Sequence, residues 1–172
     1  APHWHNYRLD RVRSPRFRVL SWDNPGLPEA LRELYQQGKL PTPGYVREQL
    51  AGAWGFDFYL PKALLMMRFP PEFARDYVDG TVRHPTFVPV AYGELPGLIE
   101  REVEDAAERE ALLALVARRS PQDRYYQAWV RLGDINVVMR LRDWRPLGEV
   151  LAPLALREQM AREVAAERLH YD

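Results

Sequence analysis

Apolar positions change their period along the chain, and the changes mark its elements. From Trp4 to Leu20, apolar and polar residues alternate at short period, which predicts two short strands broken near Ser14-Pro15. In the second, Arg16 and Arg18 share one face while Phe17 and Val19 take the other. Leu27, Leu31, Leu34 and Tyr35 then recur at helical spacing, predicting a helix over 28–37 that Gly38 ends. Pro41-Thr42-Pro43-Gly44 reads as a loop, 45–50 as a short helix, and Trp54–Tyr59 as an aromatic connector.

From Leu60 the pattern changes. The apolar run 63–69 predicts a buried strand, and Pro71 opens a short helix to Val78. A second strand is expected over 84–92, followed by a charged helical insert over 94–119. Leu112, Leu113, Leu115 and Val116 form the buried side of that insert. Residues 124–132 alternate as a third strand, with Tyr126, Ala128, Val130 and Leu132 opposite Tyr125, Gln127, Trp129 and Arg131. Asp134 caps a helix to about Trp144, 148–151 is a fourth strand, and Pro153 opens an amphipathic helix with Leu156, Met160, Val164 and Leu169 on one stripe. Apart from the insert and the last helix, this order is the split βαβ pattern of a ferredoxin-like βαββαβ sandwich.

Composition narrows the function classes. An apolar fraction of 47% in 172 residues supports a folded core. Basic and acidic residues balance at 24 each, so any anion binding must come from local clusters. Lys39 and Lys62 are the only lysines, and the remaining basic residues are arginines, a bias that implies no function by itself. The absence of cysteine excludes disulfides, thiolate nucleophiles and cysteine-ligated metals. No apolar run approaches a membrane span and no signal peptide is visible, so a cytoplasmic location with no membrane partner is expected. The Ala1-Pro2 opening, running straight into strand-like sequence, predicts a fragment of a longer protein.

The candidate chemistry is arginine chemistry. Five arginines (Arg8, Arg11, Arg13, Arg16 and Arg18) fall within eleven positions, and each guanidinium offers a planar fork of donors suited to phosphate. Contact with an anion or nucleic acid is one reading, and solvation of an exposed edge strand is the other. Trp4 or Tyr7 could stack on a base beside them. His3 and His5 share a strand face, but no third ligand lies near in sequence, so no metal is expected. Arg68, inside an apolar strand, must be salt-bridged or line a pocket. His84 reads as a packed helix-terminus residue, whereas Arg140, Arg142, Arg145 and the Glu100–Glu110 segment read as solvated surface. The three serines sit in no nucleophile elbow. No phosphate loop, dinucleotide fingerprint or diagnostic carboxylate pair occurs. A non-catalytic protein without a cofactor is expected.

Tyr7-Arg8-Leu9-Asp10-Arg11-Val12 resembles the aromatic-Arg-Leu-Asp-Arg-Ile strand that closes the WYL domain of bacterial transcriptional regulators. Residues 64–69 with the following helix and Arg83-His84-Pro85 resemble the start of the extension that follows WYL domains. Residues 148–157 are similar to its closing strand, proline and helix. The Trp-Tyr-Leu tripeptide itself is absent, and residues 23–59 and 94–119 are longer and more helical than the family pattern. Such elaborations resemble CRISPR-associated members.

The resemblance implies an α+β chain: the end of a small SH3/Sm-like β-barrel over 1–22, a helical connector over 23–59, and a ferredoxin-like extension over 60–172. It also implies a ligand-sensing, dimerising module that binds single-stranded nucleic acid or a nucleotide and acts as a homodimer. Tyr7, Arg8 and Arg11 fall on the family motif, with Asp10 orienting the arginines. Arg13, Arg16 and Arg18 join them by charge density, and Arg68 and Arg83 stand for the extension's side of the groove. The alternatives are a pure oligomerisation module without a ligand and a non-catalytic subunit of a CRISPR-related complex.

Overall fold

A computed structural model describes residues 11–13 and 18–171. They divide into two compact units, one up to Gln49 and one from Leu50.

The first unit holds α1 (Glu29–Gln36) and most of α2 (Pro43–Ala51). Gly38, at φ +64°, ends the first helix, and Lys39 N–H donates back to the Leu34 carbonyl at 2.8 Å. Trp22 and Tyr35 stack with ring centroids 4.1 Å apart. Neither helix is buried anywhere along its length, apart from partial cover. Of the strands expected over 4–20, residues 4–10 and 14–17 lie outside the described residues; Arg11 lies in a helical turn, and 12, 13 and 18–20 carry no regular structure.

In the second unit, β1 (Lys62–Phe69), α3 (Pro71–Tyr77), β2 (Val88–Val90), α4 (Leu95–Glu102), α5 (Ala106–Val116), β3 (Arg124–Arg131), α6 (Ile135–Arg142), β4 (Glu149–Ala152) and α7 (Leu154–Arg168) follow in order. The four strands form one antiparallel sheet in the order β2-β3-β1-β4. With seven described helices, the architecture is α+β. β1 is central and almost wholly buried, as its unbroken apolar run requires. β2 spans only three residues because Pro85 and Pro89 withhold ladder donors and Phe87 N–H turns back to the His84 carbonyl at 2.9 Å.

Period-2 alternation divides two cores between the sheet faces. Leu65, Met67 and Phe69 of β1 join Tyr126, Ala128 and Val130 of β3 and Val137, Val138 and Leu141 of α6. Leu64 and Met66 face the other way, onto Leu95, Leu98 and Ile99 of α4 and Leu112, Leu115 and Val116 of α5. The insert between β2 and β3 is therefore a structural layer through the buried side expected at Leu112, Leu115 and Val116, while residues 100–110 remain exposed or half-exposed. Its Glu108 even accepts the Leu154 N–H at 2.8 Å at the start of α7.

The division at Gln49 falls inside the segment expected as a connector, because residues 53–60 belong to the second unit. Trp54 N–H donates to the Trp129 carbonyl at 2.7 Å, and Arg131 N–H donates to the Trp54 carbonyl at 2.8 Å. On α7, Leu156 is buried and Met160 half-buried, but Val164 and Leu169 are exposed, so only the first half of the expected stripe enters the core. No helix among the described residues is long and apolar enough to cross a membrane.

Candidate functional site

Of the residues singled out by sequence, His3, Trp4, His5, Tyr7, Arg8, Asp10 and Arg16 lie outside the described residues. Arg11, Arg13 and Arg18 are exposed in the first unit. Arg68 and Arg83 are both in the second unit, but they line different cavities. Among the described residues no three His, Asp or Glu side chains converge as metal ligands.

Both sequence readings of Arg68 hold at once, since it is salt-bridged and also lines a cavity. Its Nε donates to Asp123 at 2.5 Å and its Nη1 to Glu149 at 3.1 Å. Arg119 meets Glu149 with two forks, Nη2 to Oε1 at 2.6 Å and Nε to Oε2 at 2.9 Å. Arg157 Nη1 adds 2.7 Å contacts to Glu149 and to the Val150 carbonyl. Burial of the Glu149 carboxyl opposes its ionisation, but hydrogen bonds from Arg119 and Arg157 outweigh this and hold its pKa at about 2. Three guanidiniums thus surround one carboxylate at the β4 edge. Arg142 and Arg145, expected as solvated surface, are likewise engaged, both reaching Glu163 of α7 at 2.7 and 2.8 Å. Hydrogen bonding to Arg142 leads the causes that lower Glu163 to about 2.

Arg83 is in a different position. It follows α3, donates from Nη2 to the Tyr77 carbonyl at 2.9 Å and from Nε to Thr81 Oγ1 at 3.1 Å, and lies 5.6 Å above the Trp144 ring. No carboxylate pairs with it among the described residues. It lines a cleft of about 480 Å³ together with Arg140, His84, Asn136, Phe56 and Trp144. Arg140 is exposed and makes no hydrogen bond or ion pair among the described residues. Asp143 is the one carboxylate on the cleft lining, against two guanidiniums.

The walls of this cleft are held rigidly. Trp144 packs edge-on to Phe69 at 5.3 Å, and Trp54 packs on Phe87 at 6.0 Å. His84 is half-buried in the loop that follows α3 rather than at a helix terminus, and both of its ring nitrogens are engaged. Its Nδ1 accepts the Thr86 N–H at 3.2 Å, which leaves Nε2–H to donate to the Leu50 carbonyl at 3.0 Å. The Phe56 wall depends on Asp134, the N-cap of α6, which is fully buried. Its Oδ2 accepts the Phe56 and Asp57 N–H groups at 2.5 and 2.9 Å, and its Oδ1 accepts both Asn136 N–H donors at 2.8 and 2.9 Å. Burial opposes ionisation of Asp134, but this set of donors prevails and lowers its pKa. Gly55 permits the approach: at φ +140° a Cβ there would lie 2.9 Å from Asp134 Oδ2 and 2.8 Å from Arg131 Cβ.

The arrangement joins unneutralised guanidinium charge to aromatic faces beside a half-polar cavity, which suits a phosphate-bearing aromatic ligand. Sequence reasoning missed Arg140 as a candidate. The signal was present, since Asn136 and Arg140 stand four apart on one helical face, with Trp144 just beyond the end of α6. Set against protein-family models, curated proteins and solved structures, the chain matches none.

Proposed function

We propose that this chain is a ligand-sensing module that binds a nucleotide or a short single strand of nucleic acid, with its site in the Arg83–Arg140 cleft. One observation carries the reading. In a unit whose other clustered arginines are matched by carboxylates, these two guanidiniums flank a cleft with exposed aromatic surface and lack such partners. The phosphate would take the guanidinium forks, and a base would lie against Phe56, which is 62% exposed.

Several finer readings belong to the same proposal. The strand order β2-β3-β1-β4 with helices between strands supports a ferredoxin-like second unit. The short motif matches at 7–12, 64–69 and 148–157 support a WYL regulator with its C-terminal extension. Regulation would follow from a homodimer whose two conformations bind the ligand unequally. In this reading Arg68 has a structural role at Glu149.

The test is fluorescence anisotropy with a labelled ten-nucleotide oligo(dT) and with a fluorescent ATP analogue, each at two salt concentrations. Wild type is expected to bind one of them in the micromolar range, more weakly at high salt. Arg83→Ala and Arg140→Ala should each weaken binding by about tenfold or more, the scale of one lost charge-assisted hydrogen bond. Salt-insensitive binding, or unchanged affinity in both folded variants, would overturn the assignment of this cleft.

A further inference from the structure

The Arg83 cleft also holds a hydrogen-bonding edge that its guanidiniums do not use. Asn136, half-buried on the lining, precedes Arg140 on α6 by one helical turn, a rise of about 6 Å. The buried Asp134 carboxylate settles how its amide is turned, because an ionised carboxylate only accepts. Asn136 N–H and Nδ2–H both donate to Asp134 Oδ1, at 2.8 and 2.9 Å. Among the described residues Asn136 Oδ1 has no hydrogen-bond partner, and it is not a buried orphan, so it is open to solvent. One Nδ2–H remains beside it. The other charged and polar groups of the lining offer no such pair. Arg83 and Arg140 only donate, Asp143 only accepts, and His84 uses both ring nitrogens internally.

We propose that this cleft selects adenine, with Asn136 Oδ1 accepting from the 6-amino group and its remaining Nδ2–H donating to N7. The inference rests on the nucleotide reading of the cleft and adds the identity of the base. The short step from Asn136 to Arg140 decides which edge is read. In a nucleotide the N7 edge lies on the side of the 5′-phosphate, and the pairing edge lies beyond it. On that edge adenine alone presents a donor beside an acceptor. Guanine presents two acceptors, one of which would face Asn136 Oδ1, and pyrimidines have no N7. Edge and face are also held by one group, since Asp134 Oδ1 fixes Asn136 while Oδ2 fixes the Phe56 and Asp57 backbone. A base stacked on Phe56 therefore meets an amide already in place, and binding requires little ordering of the receptor.

Isothermal titration of the full chain with ATP, ITP, CTP and 7-deaza-ATP tests this. ITP carries a carbonyl in place of the 6-amino group, and 7-deaza-ATP lacks N7. ATP should bind in the micromolar range and each of the others about tenfold or more weakly, the discrimination of one bidentate pair. Asn136→Ala, with its helical circular-dichroism signal intact, should bind ATP and ITP alike. A merely structural role for Asn136 would lower both affinities and keep their ratio, which overturns the proposal. It is also overturned if folded wild type does not bind ATP, or if ITP, CTP or 7-deaza-ATP binds as tightly as ATP. Equal binding of ATP and ITP that is lost in Arg83→Ala would overturn the adenine assignment alone and leave the nucleotide cleft standing.

Discussion

Replacing Glu149 with Gln keeps the side chain's shape but removes the one negative charge that Arg68, Arg119 and Arg157 share. Only Arg68 retains a carboxylate, Asp123. The Glu149 carboxyl titrates at about 2 in the folded protein, against 4.5 for an unperturbed glutamate. At 1.36 kcal/mol per pKa unit this is worth about 3 kcal/mol at neutral pH. The side chain is only 20% exposed, so solvent screening removes little of that. The sign follows from the depressed folded value. The contribution is complete above the unfolded pKa, declines as pH falls below about 4.5, and is gone below about 2. Urea unfolding of wild type and Glu149→Gln at pH 7 should therefore differ by about 3 kcal/mol, and at pH 3 by about 1 to 2 kcal/mol. Equal stability at pH 7 would refute the claim that three guanidiniums stabilise this charge. A gap that stays constant down to pH 3 would show that packing, not ionisation, is lost.

Asp134→Ala removes an acceptor with four donors and leaves the Phe56 and Asp57 N–H groups without it. A loss of about 3 kcal/mol or more is expected in thermal or urea unfolding. Gly55→Ala should cost about 2 to 3 kcal/mol, because φ is +140° and the new Cβ meets Arg131 Cβ at 2.8 Å; a neutral result would mean that the loop rearranges freely. Both variants should also weaken nucleotide binding, read by the same anisotropy titration, since both displace Phe56 from the cleft wall.

The second unit was legible where hydrophobic period and length agreed. β1, β3 and α6 emerge close to their expected bounds: β1 is an unbroken apolar run closed by Pro70-Pro71, β3 carries a period of two, and α6 carries a helical period that starts at its Asp134 cap. β2 is shorter than expected because Pro85 and Pro89 cannot donate to the ladder. Residues 100–110, where charged residues outnumber apolar ones, are exposed or half-exposed as their composition implies. Leu95, Leu98 and Ile99 just ahead of them nevertheless form a buried face. The far end of the α7 stripe shows the opposite limit, since amphipathicity states that a face is apolar but not that anything covers it. The need of Arg68 for a partner was legible from desolvation, but Asp123 and Glu149 lie 55 and 81 residues away, a distance that only topology closes.

Arginine density alone does not separate ligand-binding guanidiniums from structural ones in the second unit. A chain with equal numbers of acids and bases can satisfy most guanidiniums internally, and arginine's planar fork makes those pairings directional. Arg119 on Glu149 and Arg142 on Glu163 are such two-pronged contacts, and they tie α5 to β4 and α6 to α7. These pairs cross between elements, so they specify how the layers sit on the sheet as well as contributing to stability. A guanidinium becomes available to a ligand when the fold positions it without supplying its carboxylate. Arg83 is held by a carbonyl, a hydroxyl and an aromatic face, which fixes its place while leaving its charge unneutralised. In the proposed function, neutral anchoring of a cation is therefore the feature that distinguishes a binding arginine from a structural one in the second unit.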